Sequence, residues 1–336
     1  MTLKIAINGY GRIGRLVHRA LIESGRTDMK VVAINDLADV NTNVHLMKYD
    51  TVHGRFAHDV SAVDDDTMSV NGQNIQMFSE RDPADLPWAT LDIDIVFECS
   101  GVFTKRDACM KHIEAGAKRV LISAPGTDED LTVVYGVNHE SLTADHIIVS
   151  NASCTTNCLA PVAKILNDTI GIEKGFMTTI HAYTGDQRVT DTAHKDLHRA
   201  RAAACNMIPT STGAAKAVGK VLPELNGKLD GVSIRVPTPN VSVVDLTFTA
   251  KKDTSVDEVN KALLDASAGA LKGVLECYDE PLVSSDFNHN PHSSIFSLEG
   301  TKVMDGNFVR IMSWYDNEWG FSNRMLDTAA TMGRFL

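Results

Sequence analysis

The chain has 336 residues, 43% of them hydrophobic and 22% charged, a globular mix at a length that suggests two domains. Its formal net charge of −11 offers no general attraction to nucleic acid or anionic lipid, which argues against either as the principal partner. The six cysteines, at 99, 109, 154, 158, 205 and 277, are too few for a disulfide scaffold and lack the paired CxxC spacing of a zinc site.

The N-terminus, Met-Thr-Leu-Lys-Ile-Ala-Ile-Asn-Gly, has neither the long apolar core nor the cleavage site of a signal peptide. No apolar run approaches the ~18 residues of a membrane span, so a soluble cytoplasmic protein is the expectation. Residues 3–8 read as a short buried strand and 9–14 as a glycine-rich turn. Ile13, Leu16, Val17, Ala20 and Leu21 then repeat at helical spacing over 11–24, with Gly25 as a stop. Residues 30–34 read as a second buried strand, completing a strand–helix–strand crossover. Further on, 44–49 and 105–115 read as helices, and 94–99, 120–123, 133–135 and 147–149 as strands. This alternation predicts a doubly wound, Rossmann-type parallel sheet over 1–150.

Beyond Ser150 the texture changes. Longer strand-like runs lie at 175–181, 231–235, 241–250 and 308–314, and helices at 154–168, 210–222, 255–271 and 317–334. Long strands beside segregated helices predict an α+β domain with a mainly antiparallel sheet. The expected division is 1–150 and 151–316, with 317–336 packing back on the first domain.

Gly9-Tyr-Gly11-Arg-Ile-Gly14 is a GxGxxG motif directly after a strand and opening a helix, and Asp36 follows Gly14 by 22 residues, at the end of the second strand. Gly9 allows the tight turn, Gly11 lets backbone amides approach a pyrophosphate, and Gly14 lets helix and sheet pack closely. The pyrophosphate then meets the positive end of the helix, and Asp36 accepts from a ribose hydroxyl. A carboxylate there repels a 2′-phosphate, so NAD is expected rather than NADP. The bland alternative is a glycine-rich turn with a surface aspartate.

Residues 151–158, Asn-Ala-Ser-Cys-Thr-Thr-Asn-Cys, stand between a strand and an apolar helical pattern. Cys154 is expected at that helix's N-terminus, where partial positive charge favours a thiolate, with Asn151 or Ser153 as cap. His181 ends the following strand and is a candidate base. Spacing alone does not pair the two, and a buried structural cysteine with an unrelated histidine is the alternative. Cys158 reads as core, and His289-Asn-Pro-His292 as a hydrogen-bonded loop, so no metal site is expected. Residues 194–201 are locally basic, either a solvated face or an anion site, and Thr210-Ser-Thr-Gly213 opens a helix, a further candidate anion site.

These motifs, with His-Ala-Tyr-Thr-Gly-Asp-Gln at 181–187, Ser-Thr-Gly-Ala-Ala-Lys at 211–216, Arg-Val-Pro-Thr-Pro-Asn-Val-Ser at 235–242 and Trp-Tyr-Asp-Asn-Glu-Trp-Gly at 314–320, resemble the phosphorylating glyceraldehyde-3-phosphate dehydrogenases over nearly the whole chain. The resemblance implies that Cys154 is the nucleophile and His181 its base. It implies that Arg12, Ile13, Asp36, Arg81, Ser123 and Asn317 contact NAD, with Asn317 orienting the nicotinamide amide. Ser153, Thr155, Arg199, Thr212 and Gly213 match the site for attacking inorganic phosphate. Thr184 and Arg235 match the site for the substrate's own phosphate. Arg201 is the alternative to Arg199, because both lie in one short loop. A glycolytic or gluconeogenic role and a homotetramer are implied too. The related erythrose-4-phosphate dehydrogenases are the alternative, but they tend to lose the residues standing here as Thr184, Thr212 and Gly213. A non-catalytic nucleotide-binding protein would be expected to lose Cys154 or His181.

Overall fold

The structure is a computed structural model and describes residues 2–336. The chain forms two compact units. One runs up to Val133 and adds His139–Ala152 and Ser322–Leu336; the other comprises Val134–Asn138 and Ser153–Phe321. Two local features set bounds that differ from 150/151 and 316/317. Gly136 lies against Leu271 and Val274 of the second unit. Gly320 is held there too, its amide donating to Asp316 O at 3.1 Å.

In the first unit, β1 (Leu3–Asn8), α1 (Arg12–Glu23) and β2 (Met29–Asn35) form the expected crossover. Ile5, Ala6 and Ile7 are fully buried, as in a strand covered on both faces. α2 (Val40–Lys48) starts earlier than 44 because Asp39 caps it, accepting from Thr42 N at 2.8 Å. A short hairpin, β3 (Tyr49–Asp50) with β4 (Gly54–Arg55), precedes an antiparallel meander of β5 (Val60–Asp64), β6 (Thr67–Val70) and β7 (Gln73–Phe78). Then come α3 (Trp88–Leu91), β8 (Ile95–Glu98), α4 (Arg106–Glu114), β9 (Arg119–Ile122), β10 (Leu131–Thr132) and β11 (Ile148–Ser150).

These strands form a nine-stranded sheet in the order β10-β11-β9-β8-β1-β2-β7-β6-β5, parallel except for the meander. The order reverses between β1 and β8, the switch point where ligands of such sheets bind. The strand expected at 133–135 is not formed; pairing ends at Thr132, and Val134 N donates instead to Asn138 Oδ1 at 2.8 Å. Val133 and Val134 are buried in the irregular stretch between β10 and the turn at 135–138.

In the second unit, α5 (Cys154–Thr169) is followed by β12 (Ile172–Ala182), β13 (Ile208–Ser211), α6 (Ala214–Val221), β14 (Leu229–Val236), β15 (Ser242–Ala250), α7 (Val256–Ala268), β16 (Leu275–Tyr278), β17 (Ser294–Ser297), β18 (Lys302–Met304) and β19 (Phe308–Tyr315). The sheet order is β13-β14-β12-β15-β19-β17-β16, with β18 on β19. Only β12/β14 and β16/β17 are parallel. The helix expected over 210–222 begins only at Ala214, because Thr210 and Ser211 pair with Ser233 and Val232 as part of β13. α7 stops at Ala268, ahead of a turn at Gly269, short of the expected 271. The final helix α8 (Trp319–Met332) starts two residues after the expected 317, since Asp316 Oδ1 accepts from Glu318 N and Trp319 N. Among the described residues no helix is long and apolar enough to cross a membrane.

Candidate active site

Cys154 is the first residue of α5, and Ser153 caps the helix, its Oγ accepting from Thr156 N at 3.1 Å. Ala152 just ahead of the cap has φ +57°, a left-handed conformation that costs a non-glycine residue energy and is typical of functional turns. Parallel pairing of β12 with β14 sets His181 beside Arg235. Antiparallel pairing of β15 with β19 sets Ser242 beside Tyr315.

The result is one cluster in the second unit. Cys154 Sγ lies 3.5 Å from His181 Nε2. His181 Nδ1 lies 2.7 Å from Ala182 O, so this nitrogen carries the proton and donates, leaving Nε2 as a lone-pair acceptor facing the sulfur. Arg235 Nη1 donates to Ala182 O at 3.1 Å and stands 3.1 Å from the same imidazole nitrogen. Burial lowers the His181 pKa to about 3, and the Arg235 charge adds to this, so the imidazole is a neutral base. Burial also pushes the Cys154 thiol up, opposed by Arg235 and by hydrogen bonds from Thr155. The helix-terminal charge therefore does not by itself hold a thiolate. His181 Nε2 is the acceptor within reach of the thiol.

Thr184 Oγ1 accepts from Arg235 Nη1 at 3.4 Å, so this expected pair is adjacent. Arg199 Nε donates to Thr210 Oγ1 at 2.9 Å and its Nη2 to Ser211 O at 3.4 Å, while Asp186 takes its other nitrogen. Arg201 instead pairs with Asp191 at 2.8 Å and is 62% exposed. Thr212 Oγ1 accepts from Ala214 N at 3.2 Å, and Gly213 stands at the N-cap of α6, which has no side-chain cap. Thr155 is turned inward, its hydroxyl 2.9 Å from Tyr315 OH.

Tyr315 carried no role in the sequence reading. It bridges Thr155 and Thr179, at 2.9 Å each, and packs edge-on to His181 with ring centroids 5.8 Å apart. Its place in the 314–320 motif was the available signal. Asn317 Oδ1 accepts from Ser242 Oγ at 2.8 Å, which fixes the amide's orientation.

The first unit carries a separate cleft of about 400 Å³ lined by Gly9, Gly11, Asp36, Arg81, Ser100 and Val102 among others. That volume is within the range of cofactor pockets. Gly9 has φ +90°, and a Cβ there would lie 2.5 Å from Ser100 backbone; a Cβ on Gly14 would lie 2.2 Å from Gly9 O. A Cβ on Gly11 would meet nothing, and Gly11 leaves the first amides of α1 without a side-chain cap. Asp36 accepts one backbone amide on each oxygen, from Ala38 N at 2.9 Å and Tyr10 N at 2.7 Å, which leaves acceptor capacity for ribose hydroxyls. The residues present fit a dinucleotide. Arg12 and Ile13 open α1, and the Arg12 guanidinium is engaged by Asp50 at 2.6 Å. Ser123 follows β9, its amide donating to Glu98 O at 3.0 Å.

Residues 3–106 match the pattern for the NAD binding domain of glyceraldehyde 3-phosphate dehydrogenase, and 153–317 that for its C-terminal domain. The chain belongs to the glyceraldehyde-3-phosphate dehydrogenase family. It is 66% identical over 334 residues to the glyceraldehyde-3-phosphate dehydrogenase of Xanthobacter flavus, covering 99% of both chains. It is 65% identical over 336 residues to that of Cereibacter sphaeroides, covering all of both. Against that of Pseudomonas aeruginosa it is 59% identical over 333 residues, 99% of this chain and 98% of the other. As a glyceraldehyde-3-phosphate dehydrogenase family member it is an NAD-dependent oxidoreductase acting on glyceraldehyde 3-phosphate, and the erythrose 4-phosphate alternative is not favoured.

Proposed function

We propose that the chain oxidises and phosphorylates D-glyceraldehyde 3-phosphate to 1,3-bisphosphoglycerate through a covalent adduct on Cys154. The observation that carries this is the 3.5 Å approach of the Cys154 sulfur to a neutral, buried His181 Nε2. The imidazole takes the thiol proton as sulfur adds to the aldehyde carbon, and returns it to the new alkoxide. His181 then removes the thiohemiacetal hydroxyl proton while the C–H bond breaks, leaving a thioester. When bound, NAD supplies the hydride acceptor. A phosphate oxygen next attacks the thioester carbon, the C–S bond breaks, and the acyl phosphate departs from a restored thiolate.

Arg235 and Thr184 hold the substrate's own phosphate. Inorganic phosphate binds among Ser153, Thr212, Gly213 and Arg199, near the uncapped start of α6. Thr155 serves through its backbone amide, since its hydroxyl is committed to Tyr315. Arg199 is assigned over Arg201 because it contacts Thr210 and Ser211. Gly9, Gly11, Arg12, Ile13, Gly14, Asp36, Arg81 and Ser123 serve the dinucleotide from the first unit, and Asn317 presents its amide nitrogen to the nicotinamide amide.

The working form is a homotetramer in the cytoplasm. Supporting association, Phe176, Val232 and Phe308 stand 51%, 40% and 44% exposed on one face of the second sheet, among polar side chains such as Asp230 and Arg310, and a partner copy would cover them. Steady-state NADH formation with each aldehyde phosphate, with and without inorganic phosphate, tests the function. The expected result is strong phosphate dependence and preference for the three-carbon aldehyde. Phosphate-independent turnover, or preference for erythrose 4-phosphate, would overturn it.

A further inference from the structure

Glu98, at the end of β8, is 1% exposed, and none of the roles above uses it. In the parallel register it stands opposite Asn8, at the switch point of the sheet. Its carboxylate gathers four donors. His112 Nε2 donates at 3.0 Å, Asn8 Nδ2 at 2.5 Å and Ser100 N at 2.9 Å, and the Ser100 hydroxyl is the fourth. The Trp88 indole, which can only donate, does so to His112 Nδ1 at 3.0 Å, so the proton of that imidazole is fixed on Nε2, toward Glu98. Trp88 and His112 are both fully buried.

From this carboxylate, hydrogen bonds run to both walls of the dinucleotide cleft. On one side, Ser100 Oγ accepts from Val102 N at 3.1 Å, setting the loop that carries Val102. On the other, Asn8 Oδ1 accepts from Asn35 Nδ2 at 2.7 Å. Asn35 in turn donates to Glu80 O at 2.9 Å and accepts from Glu80 N at 2.8 Å, setting the Glu80–Arg81 rim. Val102 and Leu37, both lining the cleft, are 72% and 54% exposed, unusual for large apolar side chains and suited to a flat apolar ring. Asp36, the ribose acceptor, lines the same cleft. The braced walls are therefore those of the adenosine half.

We propose that Glu98, held by His112 and Trp88, is a positioning residue that fixes both walls of the adenosine subsite and so sets affinity for the cofactor without entering the chemistry. A buried carboxylate with four donors forms a rigid hub, and removing its charge leaves donors facing one another. The proposal rests on the dinucleotide reading of the cleft, and ADP-ribose separates the two. Its dissociation constant is measured by calorimetry on the full chain for wild type, Glu98→Gln, His112→Gln and Ser100→Ala, alongside melting temperature and the kcat and KM for NAD. If wild type binds neither ADP-ribose nor NAD, the dinucleotide reading itself fails. The expected result is wild-type binding, with every folded variant about tenfold weaker for ADP-ribose and about tenfold higher in NAD KM, at a kcat within about twofold. Should Glu98→Gln not fold, Ser100→Ala and His112→Gln decide. Folded variants that lose melting temperature but keep wild-type affinity, or that lose kcat at unchanged KM, overturn the proposal.

Discussion

Arg235 Nη1 lies 3.1 Å from His181 Nδ1 and 3.1 Å from Ala182 O, so one guanidinium flanks the imidazole on the side opposite the sulfur. This contact has two electrostatic consequences of opposite use. Burial keeps the imidazole neutral and the positive charge adds to this, while the same charge favours a thiolate at Cys154. The same side chain bonds Thr184, in the proposed site for the substrate phosphate.

Replacing Arg235 therefore changes binding and titration together. Arg235→Gln is expected to raise the KM for glyceraldehyde 3-phosphate roughly 10- to 100-fold, the scale of a lost charge-assisted contact. The pH profile of Cys154 alkylation by iodoacetamide is expected to move to higher pH. An unmoved profile would remove Arg235 from the electrostatics of the thiol.

His181→Asn removes the proposed acceptor of the thiol proton. Acylation in a rapid-mixing experiment is expected to slow by about 10²- to 10⁴-fold, the usual size of a general-base contribution. Because burial pushes the thiol up, alkylation in this variant should require more alkaline pH than in the wild type. Wild-type acylation in the folded variant would assign the proton to another group.

Asp36→Ala deletes a carboxylate that spans Tyr10 N and Ala38 N. NAD binding is expected to weaken roughly 10- to 100-fold while NADP binding changes little, since the variant no longer repels a 2′-phosphate. Calorimetric titration with both cofactors reads this directly, and an unchanged NAD preference would contradict the assignment.

Buried histidines shape the acid limb of stability. His18, bonded to Tyr10 OH at 2.7 Å, has its pKa lowered by burial to about 4, and His181 to about 3. The unfolded chain binds these protons near the ordinary value of 6.5. Between those values the unfolded state holds more protons, so stability is full above about pH 6.5 and falls as pH drops toward 4. For His18 the loss is on the order of 3 kcal/mol. Denaturant unfolding of His18→Gln from pH 7 to 4 is expected to show a flatter acid limb; a limb as steep as wild type would exclude His18. Asp50, lowered to about 2, loses its contribution only at more acid pH and does not confuse the window.

Much of this was legible in the sequence where local chemistry decides. Gly9 and Gly14 are required by close backbone approaches, and Ser153 caps the helix that Cys154 begins. The meander over 60–78 is absent from the expected elements. Yet Asn71-Gly72, with φ of +50° and +80°, is a two-residue hairpin signal that would have revealed β6 and β7. The pairing of His181 with Arg235 arises from strand register between residues 54 apart, which no local pattern encodes. Glu98 and His112 escaped for another reason. Polar residues read as solvated in a linear pattern, and only the packing of β8, α3 and α4 makes them a buried network.

The covalent account is tested most directly by a single-turnover measurement without inorganic phosphate. Wild-type protein mixed with NAD and glyceraldehyde 3-phosphate should release one equivalent of NADH per chain and stall as an acyl adduct on Cys154 by intact-mass analysis, with turnover resuming when phosphate is added. Cys154→Ala should give no burst while still binding NAD. Continuous NADH formation without phosphate or adduct, or a burst from Cys154→Ala, would contradict the account.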